Sequence, residues 1–294
     1  MQIANPIYDV VFKYLMEDSK IARLLISTII GEEIVELDFQ PQESSAEVEQ
    51  RSLTVYRLDF SAKIKTPDGY KIVLIEIQKA KFATDIMRFR KYLGLQYAKK
   101  ENVRNVTING KETKIALPIL NIYFLGHRIG HTDAPLIKVN RHYYDVRTGN
   151  VIKEKIDFIE SLSHDSFIIQ VPHLRKKYKT EVEQLLSVFD QHNITSDCHI
   201  LNVREEDFSE KYHPIIRRLQ IAIAEPEVRT TMNIEDEILE ELQGKEREIA
   251  RKENVIEEKE NVIEEKDKVI KEKDLELEQQ RKEIEYLRNR NKNI

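Results

Sequence analysis

In the run VLIEIQKA, Val73 to Ala80, a single carboxylate interrupts a strongly apolar segment. Leu74, Ile75 and Ile77 have the character of a strand buried on both faces, with Glu76 at its middle and Gln78 two residues on. A buried, unpaired carboxylate costs several kcal/mol, so such a group is paired, protonated or bound to a metal. Strand alternation puts Glu76 and Gln78 on one face and Lys79 on the other. The preceding stretch, Leu53 to Lys65, also alternates, and Thr66-Pro67-Asp68-Gly69 makes a turn, so the two segments form a hairpin. With a two-residue turn, Thr66 faces Gly69 and Asp59 falls opposite Glu76, Cβ atoms about 5 Å apart. With a three-residue loop and a Gly bulge, the register shifts by one and Asp59 moves to the other face. Two facing carboxylates repel each other unless a divalent cation lies between them. The competing arrangement leaves Asp59 on an exposed edge and pairs Glu76 with a cation such as Lys13 or Arg88.

The elements around this hairpin follow from periodicity and punctuation. Asn5-Pro6 opens a helical pattern through Ile7, Val10, Val11, Tyr14, Leu15, Ile21, Leu24, Leu25 and Thr28, which Gly31 stops. A short strand at Ile34 to Phe39, a polar loop through PQESSAEVEQRS, the hairpin, a helix over Asp85 to Lys99 and a strand in PILNIYFL (Pro118 to Leu125) come next. That α-β-β-β-α-β order predicts an α/β layered domain over residues 1–130. Residues 131–225 read as a mixed α+β extension packed on it. It has a strand pair across Leu136 to Ile152 with a turn at RTGN, a strand at Ser166 to Val171, and helices at Thr180 to Gln191 and Ser209 to Ala224. Glu225-Pro226 marks a boundary, and residues 226–294 form an acidic helical tail.

The tail repeats itself: KENVIEE, KENVIEE, KDKVIKE, KDLELEQ. An apolar column recurs every seventh residue from Leu242 through Ile249, Ile256, Ile263 and Ile270 to Leu277 and Ile284. Three residues after each of the first five stands a lysine, and Val255, Val262 and Val269 widen the stripe. A coiled coil wants apolar residues at both core positions of the heptad, so the seam is thin. A weak parallel homodimer through this helix and a solvated single helix supported by i,i+4 Glu/Lys pairs are both open readings.

Composition narrows the classes. The chain has 294 residues, 34% of them charged, and a formal net charge of −5. From Glu235 onward, 20 acidic residues face 14 basic ones, so the body before it is close to neutral and nucleic acid is neither favoured nor excluded by charge. One cysteine, Cys198, excludes a disulfide framework and fits a reducing compartment. Asp9 interrupts the N-terminal apolar stretch, and LLISTII (Leu24 to Ile30) is far short of the roughly 20 residues that span a bilayer. The expectation is a cytoplasmic protein with no membrane partner.

Taken in order, NPIYDVVFKYL, LDF, IEIQ and RFRKYLGLQYAK resemble the Rpn family of recombination-promoting nucleases and putative transposases, within the PD-(D/E)XK nuclease superfamily. The resemblance spans Met1 to Leu125, and more loosely the body to Ile234. It implies a PD-(D/E)XK restriction-endonuclease-like core in which Asp59 and Glu76 hold Mg²⁺, with Mn²⁺ as a substitute, and water cleaves a DNA phosphodiester. Gln78 stands where the superfamily carries a lysine; it can position water or metal but supplies no charge. Supporting roles fall to Asp9, Lys13, Lys79, Arg88 and Tyr92, with Arg88, Lys91 and Tyr92 on one helical face suited to gripping phosphate. For Asp9 and Lys13 an ordinary i,i+4 surface pair is the plain alternative. The rival to a DNA endonuclease is a catalytically silent nuclease-fold module that binds DNA or a partner. His127 and His131 sit among glycines in GHRIGHTD, which argues for a loop rather than a zinc-binding helix. Asp197-Cys198-His199 reads as a quiet cysteine, and no Gly-rich phosphate loop is present.

Overall fold

A computed structural model of the chain describes residues 1–39, 60–67, 69–79, 85–108, 110–175 and 179–291. It divides into two compact units, Met1–Asp236 and Glu237–Ile294. The first opens with a short strand, β1 (Gln2–Ala4), and two helices, α1 (Asp9–Met16) and α2 (Ser19–Ile30). The sequence pattern predicts one helix here; the structure breaks it at Asp18. That residue is extended, with φ −80° and ψ 109°, and its carboxylate accepts the N–H groups of Lys20 (2.9 Å) and Ile21 (3.2 Å). The aspartate thus caps a new helix rather than continuing the old one. Gly31 closes α2 in the left-handed region at φ +71°, where a side chain would be strained.

Three antiparallel strands follow, β2 (Glu36–Phe39), β3 (Phe60–Thr66) and β4 (Gly69–Gln78). Thr66 faces Gly69 and the register runs unbroken to Phe60 opposite Ile75, which is the two-residue turn and not the bulged loop. After α3 (Asp85–Ala98) comes a hairpin that pattern reading did not anticipate, β5 (Val103–Ile108) with β6 (Lys111–Ala116). β6 is almost wholly exposed, so its sequence lacks the apolar alternation that marks a half-buried strand. The chain continues through β7 (Ile119–Leu125), β8 (Leu136–Val139), β9 (Tyr143–Tyr144), β10 (Val151–Ile152), α4 (Asp157–Leu162) and β11 (His164–Gln170). β9 and β10 pair around the expected turn, but β8 pairs with β11 and not with its neighbours in sequence. Then come α5 (Glu181–Leu186), β12 (Ile200–Asn202), α6 (His213–Ala222) and α7 (Pro226–Asn291). Helix α5 starts at a capping box between Thr180 and Glu183 and gives way to 3-10 turns at Ser187, so it is shorter than the pattern suggests. A 3-10 turn likewise precedes α6, which begins at His213. β12 returns to pair with β1, which ties the N-terminus to residues 200–202.

The fold is mixed α/β, built on a six-stranded sheet of order β2-β3-β4-β7-β11-β8. The three inner strands β4, β7 and β11 run parallel, and antiparallel strands flank them on both sides. β8 and β11, drawn from residues 131–225, belong to the same sheet as β3 and β4. One sheet face contributes Ile64, Val73, Ile75, Ile122, Phe124 and Ile169 to a core shared with Val11, Leu15, Leu25, Leu186, Ile216 and Leu219 of the helices. The other face presents Ile72, Leu74 and Ile119 to Phe89, Tyr92 and Leu93 of α3. Strand β4 is therefore buried on both faces, as its composition requires. Among the described residues, no helix is long and apolar enough to cross a membrane.

Candidate functional site

Glu76 sits near the C-terminal end of β4, at the centre of the sheet, and only 1% of its surface is exposed. In the parallel register it lies opposite Tyr123 of β7, and Gln78 lies opposite Leu125. Both side chains share the sheet face that α3 covers, where Phe89 packs against the Tyr123 ring at 4.5 Å between centroids. The Tyr123 hydroxyl is held well above its ordinary pKa by burial and, next, by the charge of Glu76. One row back on the same face, Leu74 is flanked by Ser61 of β3 and Asn121 of β7, and Asn121 is flanked in turn by Ser166 of β11. All three polar residues are buried, Asn121 completely. Neither amide atom of Asn121 makes a well-formed hydrogen bond among the described residues, although the amide lies near enough to the Tyr123 hydroxyl to oppose the rise in its pKa, and the hydroxyl of Ser61 makes none. Leaving such groups unsatisfied costs about 1–3 kcal/mol each, so this face carries polar groups beyond the needs of packing.

Asp59 lies outside the described residues, and so does the side chain of Arg88, although α3 itself is described. Tyr92 packs against the Ile72–Leu74–Phe89 cluster. The other residues singled out from sequence gather elsewhere, at the start of α1. The Lys13 ammonium pairs with the Asp9 carboxylate, the plain i,i+4 arrangement. The Lys79 ammonium turns away from the Glu76 face, binds the Asp236 carboxylate, and lies 3.6 Å from the centroid of the Tyr8 ring.

That second cluster contains residues that sequence reasoning passed over. Tyr8 precedes α1 and offers no side-chain cap. Glu235, from the first turns of α7, supplies one instead: its two oxygens accept the N–H groups of Asp9 (3.0 Å) and Val10 (2.9 Å). Burial, reinforced by the charge of Asp9, raises the Glu235 pKa from 4.5 to about 7, although the two backbone bonds and Lys79 act against the rise. The neighbouring Asp236 accepts from the Tyr8 hydroxyl at 3.0 and 2.9 Å and contacts His199 Nε2 at 2.8 Å, with the Cys198 thiol at 3.6 Å. Burial would raise its pKa, but Lys79 and His199 hold it below the ordinary carboxylate value. Cys198, His199 and Asp236 thus bring three metal-ligating atoms within 4.8 Å of one another. Asp236 is already neutralised there by Lys79, so the arrangement reads as an ion-pair network that docks the start of α7. Both acids look like ordinary tail charge in sequence; no local signal distinguishes Glu235 from the glutamates that follow it.

The two clusters meet at the end of β4. Gly126 N–H donates to the Gln78 carbonyl at 2.7 Å, and a Cβ on Gly126 would fall 2.3 Å from the Lys79 carbonyl oxygen. The end of β7 therefore fits against the end of β4 only because residue 126 has no side chain. Gln170, at the end of β11, donates to the Thr132 and Ala134 carbonyls and accepts from the Ile129 N–H, which ties down the 126–135 segment. That segment is irregular rather than helical, as its glycines suggest.

Comparison of the chain with protein-family models, with curated proteins and with solved structures returned no match.

Proposed function

We propose that the chain is a Mg²⁺-dependent DNA endonuclease with a PD-(D/E)XK core, of the Rpn type that its sequence motifs resemble. The observation that carries this reading is Glu76: a carboxylate 1% exposed at the centre of a mixed sheet with helices on both faces. The hairpin register supports it, because β3 and β4 run in the phase that a two-residue turn gives, with Thr66 opposite Gly69 and Phe60 opposite Ile75. The donor chemistry fits a hard cation: a buried carboxylate, the Gln78 amide on the same face, and a neighbouring buried amide, Asn121, beside the Tyr123 hydroxyl. When bound, Mg²⁺ would acidify water and offset the charge that develops on the scissile phosphate. In this reading Glu76 and Asp59 hold the ion, and Gln78 orients the attacking water by hydrogen bonding. The basic residues of α3, with Lys91 exposed, grip the DNA backbone.

A second reading has its own observation. Lys79, one residue beyond the position where the superfamily carries its lysine, is committed to Asp236 and the Tyr8 ring. With Gln78 in the motif position, the strand supplies no cation to the Glu76 face, which favours a silent module that binds DNA without cutting it.

Supercoiled-plasmid nicking with and without Mg²⁺ separates the two, run on wild type, Asp59→Ala and Glu76→Ala alongside fluorescence-anisotropy DNA binding. Metal-dependent nicking lost in both variants is the expected result. A folded wild type that binds DNA but leaves the plasmid intact in Mg²⁺ and in Mn²⁺ overturns the endonuclease in favour of the silent module.

A further inference from the structure

Strand β4 brings no cation to the Glu76 face, since Lys79 turns the other way to Asp236 and the Tyr8 ring. The neighbouring strand brings a different donor. Ile122 and Phe124 of β7 point into the core shared with the helices, so Tyr123 between them projects on the other face, beside α3. It stands directly opposite Glu76 in the parallel register, on strands about 4.8 Å apart. The same row continues to Ile168 of β11 and Ile137 of β8. Among the described residues of that row, Tyr123 carries the one side-chain hydrogen-bond donor.

We propose that Tyr123 is a catalytic residue of this site, whose hydroxyl donates a hydrogen bond to the scissile phosphate of DNA. The role rests on the endonuclease reading of the Glu76 face.

A phenol reaches farther from its backbone than a carboxylate does, so Tyr123 can touch a phosphate that lies over Glu76. Glu76 is only 1% exposed, whereas Tyr123 is half-buried, so part of its side chain still meets solvent. Its ring is held in place by Phe89, with centroids 4.5 Å apart and planes at 57°. The Asn121 amide, two residues back on the same face, approaches the phenol oxygen and opposes the rise in its pKa, as a donor to that oxygen does. A donor there leaves the phenolic proton free for another acceptor. Burial is the main reason that the hydroxyl keeps its proton, and burial persists when a cation offsets the charge of Glu76. A neutral donor already fixed beside the developing charge needs no reorganisation in the transition state, which is how such groups lower a barrier. Water forms the new bond to phosphorus and the bond to the leaving oxygen breaks; Tyr123 contributes a hydrogen bond and keeps its proton.

Tyr123→Phe retains the ring on Phe89 and removes only the hydroxyl, with the urea midpoint as the control for folding. In plasmid nicking, kcat should fall about 100-fold while KM for DNA and the half-saturating Mg²⁺ concentration stay unchanged, the pattern of a contact made in the transition state. A second readout needs no turnover. The chain has no tryptophan, so Tb³⁺ bound in place of Mg²⁺ is sensitised by tyrosine. Wild type should show Tb³⁺ luminescence under tyrosine excitation, and Glu76→Ala should lose it. Tyr123→Phe should lose most of it while calorimetry still finds the ion bound. Nicking by Tyr123→Phe at the wild-type rate, a loss confined to KM, or undiminished luminescence overturns the role of Tyr123 and leaves the endonuclease reading standing. A folded wild type that nicks nothing in Mg²⁺ or Mn²⁺ overturns the endonuclease reading, and the catalytic role falls with it.

Discussion

Glu235→Gln isolates one titration that the structure makes unusual. The carboxyl is half-buried at the N-terminus of α1, bonded to the Asp9 and Val10 N–H groups, and its pKa rises from 4.5 to about 7. Below the unfolded value, both folded and unfolded chains hold the proton and the contribution to stability is complete. Between the two values the unfolded chain releases the proton while the folded chain retains it, so stability falls as pH rises and the contribution is lost above the folded pKa. At 1.36 kcal/mol for each pH unit the full span is about 3 kcal/mol, and partial exposure of Glu235 brings the expectation to about 2–3 kcal/mol. Glutamine retains an acceptor for one N–H but does not titrate. Urea unfolding followed by tyrosine emission, which is free of tryptophan overlap in this chain, gives the free energy at each pH. The wild-type value minus the Glu235→Gln value should drop by about 2–3 kcal/mol between pH 5 and pH 8. A difference flat to within about 0.5 kcal/mol across that range would refute the burial of this carboxyl at the helix start.

Two further substitutions test the site. Gly126→Ala should cost about 1–3 kcal/mol, read as a lower urea midpoint, because the new methyl meets the Lys79 carbonyl and must push β4 and β7 apart. Should the midpoint hold, the close approach at the end of β4 is wrong. Asn121→Leu removes a fully buried amide whose approach to the Tyr123 hydroxyl falls short of a well-formed hydrogen bond, so the urea midpoint should rise by the equivalent of about 1–2 kcal/mol. If Asn121 serves the proposed metal site, plasmid nicking falls in the same variant; a destabilised protein would mean that the amide is bonded after all.

Much of the architecture is legible along the chain because it is set within a few residues. The Thr66–Gly69 turn fixes the phase of β3 against β4, Gly31 ends α2, and the helical period of Asp85 to Lys99 is realised almost to the residue. Glu76 stands out for the same local reason, a charge inside an apolar strand. Where reading along the chain failed, a nearby alternative competed: Asp18 caps a helix where periodicity alone runs through it, and the almost wholly exposed β6 leaves no apolar pattern to read.

What the sequence by itself determined is the set of strongly periodic elements, the buried carboxylate and the hairpin phase, since each follows from propensity, turn chemistry and side-chain alternation over short spans. Which strands became neighbours was decided only by tertiary packing. β7 joins β4, and β11 joins β7, in parallel from more than 40 residues away in register, and the β4–β7 pairing places Asn121 and Tyr123 around Glu76. The same is true of Glu235, which reads as one more acid in an acidic helix. Only the docking of α7 on the start of α1 gives it two backbone N–H groups to hold and a proton to keep near neutral pH. A lone residue's environment is set by atoms distant in sequence, and burial, which sets the energy of a charge, belongs to the folded chain and not to the string of residues.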